Sequence, residues 1–74
     1  MDEVELNRLL GKKIKELRTK KNISQFQLGV ECGFEKSNMS RIEAGRTNPT
    51  INTLFKISQA LNISVMELFD FNQD

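Results

Sequence analysis

The stretch from Gln25 to Glu43 constrains this chain more than any other, because Gly29 and Gly33 sit inside a closely spaced apolar series. Ser24-Gln25-Phe26-Gln27 has the spacing of a capping box, so a helix is expected to begin near Gln25 and end at Cys32-Gly33. A second short helix is expected from about Lys36 to Ala44, closed by Gly45. Two short helices cross at roughly 90–120° through a tight turn only under strict conditions. The crossing point needs a very small side chain, which assigns that role to Gly29. The turn needs a residue that takes positive φ at no steric cost, which assigns it to Gly33. Leu28, Cys32, Phe34, Met39 and Ile42 then supply inward-facing side chains from both helices, and no proline interrupts either one.

The flanks read as further helices. Leu6, Leu10, Ile14 and Leu17 form one apolar stripe at i, i+4, i+8 and i+11, giving a first helix over about residues 3–21. Asp2 with Glu5 caps its start and Asn22 stops it. Gly11 lies inside it, at a cost of about 1 kcal/mol relative to alanine. Asn48-Pro49-Thr50 is a loop leading into a fourth helix, with Ile51, Leu54, Ile57 and Leu61 expected inward. Ser64, three residues before Glu67, opens a short fifth helix ending near Phe69. Met39 and Met66 read as core fillers. No segment alternates long enough for a sheet. The expectation is an all-α fold of five helices in a single domain spanning 1–74, with its core over about residues 6–69. A chain this short is marginal on its own, so tidy packing or oligomerisation is expected.

Composition removes several kinds of chemistry. With one cysteine, Cys32, there is no intrachain disulfide and no multi-cysteine zinc site. With no histidine there is neither an imidazole ligand nor an imidazole base. No acid–base or nucleophile constellation stands at a useful spacing, so neither an enzyme nor a metal or cofactor site is expected. Cys32 reads as a small buried hydrophobe. No apolar run approaches the roughly 18 residues of a membrane span, and the acidic start Asp2-Glu3-Val4-Glu5 is not a signal peptide. A cytoplasmic protein is expected, and Met1 with the polar end Asn72-Gln73-Asp74 weighs against a fragment of a larger regulator without deciding it.

The net charge is only +1, but it is segregated. Residues 8–21 carry Arg8, Lys12, Lys13, Lys15, Arg18, Lys20 and Lys21 against the single acid Glu16, while residues 57–74 carry only Glu67, Asp70 and Asp74. Charge alone fits either a solvated basic helix face or an end kept for an anionic partner.

Ser24-Gln25, Leu28-Gly29 and Gly33-Phe34, followed by Met39-Ser40-Arg41-Ile42-Glu43-Ala44-Gly45-Arg46, resemble the Cro and phage-repressor helix-turn-helix family, also called the xenobiotic-response-element type. Pro49-Thr50, Leu54, Ile57, Ala60-Leu61, Ile63-Ser64 and Glu67-Leu68 continue the resemblance, which covers about residues 8–69. It implies a five-helix, lambda-repressor-like DNA-binding domain whose third helix enters the major groove of double-stranded DNA. Carried onto this chain, the family's pattern places Lys36, Ser37 and Arg41 at base-reading positions, with Asn38 beside them. Arg41 is the candidate for a bidentate contact to a guanine, since only a planar fork donates two parallel hydrogen bonds there. Gln25, Arg46, Thr47 and Asn48 fall at phosphate-contact positions. Arg18 and Glu43 match a pair of family positions that form a structural ion pair between packed helices. The family usually caps its third helix with Ser, Thr or Asp where this chain has Glu35, a weak cap whose charge opposes phosphate.

The tail, Val65-Met66-Glu67-Leu68-Phe69-Asp70-Phe71, holds more large apolar residues than one short helix buries. A two-fold homodimer through the fourth and fifth helices is therefore expected, with Phe55, Leu68, Phe69 and Phe71 as contacts. The function implied is sequence-specific transcriptional control of a symmetric operator, of the repressor or restriction-modification controller kind. The alternative is a protein-interaction module such as an antitoxin or a coactivator bridge.

Overall fold

A capped start and a left-handed or glycine stop delimit most of the helices. The computed structural model describes residues 1–71; Asn72, Gln73 and Asp74, with the last acid of the charge division, lie outside the described residues. The order is α1 (Glu3–Lys20), α2 (Gln25–Cys32), α3 (Asn38–Glu43), α4 (Ile51–Leu61) and α5 (Val65–Leu68), with no strand among the described residues.

Asp2 Oδ1 accepts the Glu5 backbone N–H at 2.9 Å, opening α1. Glu3 and Glu5 in its first turn and Arg18 and Lys20 in its last complement the helix dipole. Asn22 follows with φ 59, a left-handed residue that ends the helix as the sequence suggests. The capping box of α2 is complete: Gln27 N–H donates to Ser24 Oγ at 3.0 Å, and Ser24 N–H donates to Gln27 Oε1 at 2.8 Å. Gly33 closes α2 with φ 73, and Phe34 N–H returns to the Gly29 carbonyl at 2.9 Å. Thr50 caps α4, its Oγ1 accepting Thr53 N–H at 3.1 Å.

Leu10 and Ile14 of α1, Leu28 and Cys32 of α2, Met39 and Ile42 of α3, Leu54, Ile57 and Leu61 of α4, and Leu68 of α5 make one buried core. Each fully buried Leu or Ile contributes roughly 1.5–3 kcal/mol relative to an exposed one. Leu17, Ile23, Phe34, Ala60, Ile63 and Phe71 pack around its rim. α1 lies against α2, α3 and α5, while α4 closes the other side against α2 and α5.

Several expectations are corrected. α3 starts at Asn38 rather than Lys36, and its N-cap is Ser37; Glu35 sits in the preceding turn, its carbonyl accepting Asn38 N–H at 3.0 Å. Gly29 lies against α3 as expected, but the tightest helix approach is elsewhere, where Gly11 of α1 meets α3. A Cβ at Gly29 would meet only Met39 Cβ at 3.8 Å, whereas one at Gly11 would overlap the Ile42 and Glu43 carbonyl oxygens of α3. Ile51 is 72% exposed, because it stands in the first turn of α4 on the side shared with Phe55 rather than on the Leu54–Leu61 stripe. Met66 is 79% exposed and fills no core. Leu68, expected at a dimer contact, is fully buried as the inward residue of the single turn of α5. Leu6, at the end of the α1 stripe, is half-buried.

Candidate nucleic-acid interface

α3 has two unlike sides. Met39 and Ile42 anchor one in the core, while Ser37, Ser40 and Arg41 lie exposed on the other. Lys36, just before the helix, is exposed as well, and Asn38 is half-buried at its first position. The four residues expected to read bases therefore occupy one short segment whose register is fixed by Met39 and Ile42. Within it, Arg41 Nη1 donates to Ser37 Oγ at 3.1 Å, and Arg41 N–H donates to the Ser37 carbonyl at 3.2 Å.

The inner end of α3 is fixed by a polar network. Arg18 Nε donates to Glu43 Oε2 at 2.7 Å and Arg18 Nη2 to Glu43 Oε1 at 3.0 Å, a two-pronged pair. The third guanidinium nitrogen, Nη1, donates to the Ile23 carbonyl at 2.8 Å. The pair is nearly sealed, with side-chain exposures of 9% for Arg18 and 3% for Glu43. Among the described residues no buried side-chain nitrogen or oxygen lacks a partner, as burial of such a pair demands.

Gln25 joins this network. Its Nε2 donates to Glu43 Oε1 at 3.0 Å, so one carboxylate ties α1, the first residue of α2 and the last residue of α3 together. Sequence reasoning missed this bond, because nothing local signals a contact between residues 18 positions apart. Of the other phosphate candidates, Arg46 and Asn48 are exposed and Thr47 half-buried in the loop after α3. That loop leaves the helix through Gly45 at φ 74, pressed so close to α1 that a Cβ would lie 2.9 Å from Arg8 Cα. Gly11 is the other residue whose role was missed. A glycine amid a strong helical stripe signals a close backbone approach, although not its partner.

Elsewhere the chemistry is quiet. Burial pushes the Cys32 thiol above its ordinary range, Glu31 adds to the shift and Lys56 opposes it, so the group stays neutral near pH 7. Among the described residues no three His, Cys, Asp or Glu side chains gather as a metal cage, and no helix is long and apolar enough to cross a membrane.

A family model described as helix-turn-helix matches residues 14–68, from the middle of α1 through α5. The chain is a helix-turn-helix protein. Its motif is α2, the Gly33 turn and α3. It is 38% identical over 64 residues to the control protein C.BamHI of Bacillus amyloliquefaciens, spanning 85% of this chain and 79% of that one. The structure of the restriction-modification controller protein C.AhdI from Aeromonas hydrophila superposes with a TM-score of 0.82 at 34% identity, covering 84% of this chain and 94% of that one. SinR, a master regulator for biofilm formation, was crystallised in complex with DNA. It matches with a TM-score of 0.76 at 40% identity, over 82% of this chain and 98% of that one. This helix-turn-helix protein thus shares its fold with small regulators over most of its own length.

Proposed function

We propose that this helix-turn-helix protein is a transcriptional regulator that binds double-stranded DNA, with α3 in the major groove. The observation that carries the reading is the exposed Lys36–Arg41 segment, anchored from behind by Met39 and Ile42 and held at its far end by the Arg18–Glu43 pair. A base-reading helix must be exposed on one side and immobile on the other, since an error of about 1 Å forfeits much of a bidentate contact. Arg41 supplies the fork for a guanine, and Lys36, Ser37 and Asn38 supply neighbouring donors and acceptors. Arg46, Thr47 and Asn48 meet phosphates on one flank. Gln25, at the start of α2, meets them on the other, where free backbone N–H groups favour an anion. The SinR complex with DNA and the two controller proteins support this assignment.

The protein acts as a homodimer in this reading. Phe55 and Phe69 remain 47% and 38% exposed, and Phe71 is half-buried, edge-on to Phe69 with ring centroids 6.3 Å apart. Regulation then follows protein concentration through the dimerisation equilibrium, and operator position decides between repression and activation.

A protein-interaction module is the competing reading, favoured by Phe26 and Val30, which stand exposed one turn apart on α2. In-vitro selection from a random duplex pool separates the two. Enrichment of a two-fold symmetric site, its halves about 34 Å apart, is the expected result. A folded protein that enriches nothing would rule out sequence-specific DNA reading.

A further inference from the structure

The N-cap of α3 holds a serine that does not cap. Serine at such a position ordinarily stands in extended backbone and accepts a hydrogen bond from the second or third N–H of its helix. Ser37 instead has φ −97 and ψ −1, and its hydroxyl makes no bond to the start of the helix. Helix formation uses its carbonyl, which accepts Arg41 N–H at 3.2 Å and Ser40 Oγ–H at 3.3 Å. The hydroxyl oxygen faces one turn forward and accepts from Arg41 Nη1 at 3.1 Å. Both residues are exposed, so this bond contributes little to folding.

An arginine on a helix surface otherwise explores many rotamers, and that freedom is lost when it docks on a base. Its guanidinium carries five N–H donors. One of them on Ser37 still leaves a paired edge free for a guanine. The serine proton remains available as a donor.

We propose that Ser37 is a positioning residue for Arg41: its hydroxyl holds the guanidinium in the orientation that reads a base, and so sets how strongly that base is preferred. The inference rests on α3 being the DNA-reading helix. It makes Ser37 and Arg41 one recognition unit rather than two independent contacts.

The test measures binding of the wild type and of Ser37→Ala, Ser37→Thr and Arg41→Ala to the selected operator. Each is also measured on duplexes with every half-site base pair changed in turn. Arg41→Ala should erase the preference at one base pair. Ser37→Ala should weaken the preference at that same pair by roughly two- to tenfold, the scale of immobilising one long side chain. Ser37→Thr keeps the hydroxyl and should behave as the wild type. Because the hydroxyl caps nothing, all variants should share the wild-type unfolding midpoint, which separates positioning from folding. Full preference in Ser37→Ala at the pair read by Arg41 would overturn the proposal, as would a loss confined to a different pair, which would make Ser37 an independent reader. If Arg41→Ala leaves every preference intact, the proposal falls together with the reading of α3. That outcome is distinguishable from failure of Ser37 alone, in which Arg41→Ala still erases one preference.

Discussion

The backbone of Gly11 lies against the carbonyl oxygen of Ile42, so closely that any side chain on α1 at this point would collide with the last turn of α3. A Cβ there would also stand 2.6 Å from the Glu43 carbonyl oxygen, and neither obstacle is a flexible tip that swings aside. The approach of the candidate reading helix to its scaffold is thus set by the absence of one carbon atom. Gly11→Ala gains about 1 kcal/mol of helix propensity but incurs overpacking of about 1–3 kcal/mol or more, because only backbone can yield. The expected result in urea unfolding is a clear drop in midpoint. Gly29→Ala, whose Cβ meets Met39 Cβ at an ordinary 3.8 Å, is expected to be neutral or stabilising by up to about 1 kcal/mol. Equal effects at the two glycines would contradict this account.

Arg18 and Glu43 are buried together, so losing one strands the other. Arg18→Met or Glu43→Leu alone should cost about 3–5 kcal/mol, and combining them should recover most of that, since an apolar pair of similar volume needs no compensation. Gln25 would lose its carboxylate partner in the double variant, leaving a small residual cost. A double-mutant cycle in urea measures the coupling. Additive losses would mean that the two charges do not depend on each other.

What was legible in the sequence follows from how local each signal is. Ser24 and Gln27, or Gly33 with its positive φ, act within a few residues of themselves, and those helix ends lie where the sequence places them. Gly29 and Gly11 illustrate the opposite case. Both are glycines on packed helices that face α3, and only the three-dimensional path of α3 decides against which one its backbone presses. The tail shows the same limit. Val65-Met66-Glu67-Leu68-Phe69 offers several apolar residues to a single helical turn, and the facing of that turn is set by α4 and α1, which turn Leu68 inward and leave Met66 out. At the candidate site, the exposed positions of α3 could be read from the spacing of Met39 and Ile42. The bond from Gln25 to Glu43 and the non-capping hydroxyl of Ser37 had no counterpart in the linear order.

Arg41 and Arg46 should fail in different ways. Arg41→Ala is expected to cost about 1–3 kcal/mol on the preferred operator and to relax one base pair, leaving other duplexes bound as before. Arg46→Ala should weaken every duplex alike and flatten the slope of log affinity against log salt by about 0.9, the loss of one phosphate contact. Salt titrations on specific and random duplexes distinguish the two. A change in salt slope with no loss of specificity for Arg41→Ala would reassign it to the backbone.

Cys32 makes the folded state sensitive to alkali. Burial raises its thiol above the ordinary value of 9.0, so between the unfolded and folded values the native chain holds a proton that the unfolded chain has released. Stability from this group is fully present below about pH 9 and declines as pH rises beyond it. Unfolding curves for wild type and Cys32→Ala should therefore converge with rising pH, the variant being less stable at neutrality because of the cavity it leaves. The native thiol should also react slowly with iodoacetamide at pH 7.5. Parallel pH profiles and rapid alkylation would both speak against a shifted, buried thiol.

The exposed apolar residues of α4 and the tail lead to a prediction about assembly. Ile51 and Phe55 lie one turn apart on α4, and Met66 and Phe69 are exposed on and just beyond α5, which packs against α4. None of these side chains belongs to the buried core, so replacing them leaves the fold's interior unchanged. Sedimentation of the wild type at tens of micromolar should show a dimer. Phe55→Ser with Phe69→Ser should give a folded monomer of unchanged helix content. On DNA that monomer should still recognise a half-site, but lose the added affinity of binding two half-sites at once, which linkage makes worth up to about two to four orders of magnitude. A wild type that is monomeric at these concentrations and saturates a symmetric operator without cooperativity would overturn the dimer. The exposed phenylalanines would then need a different partner.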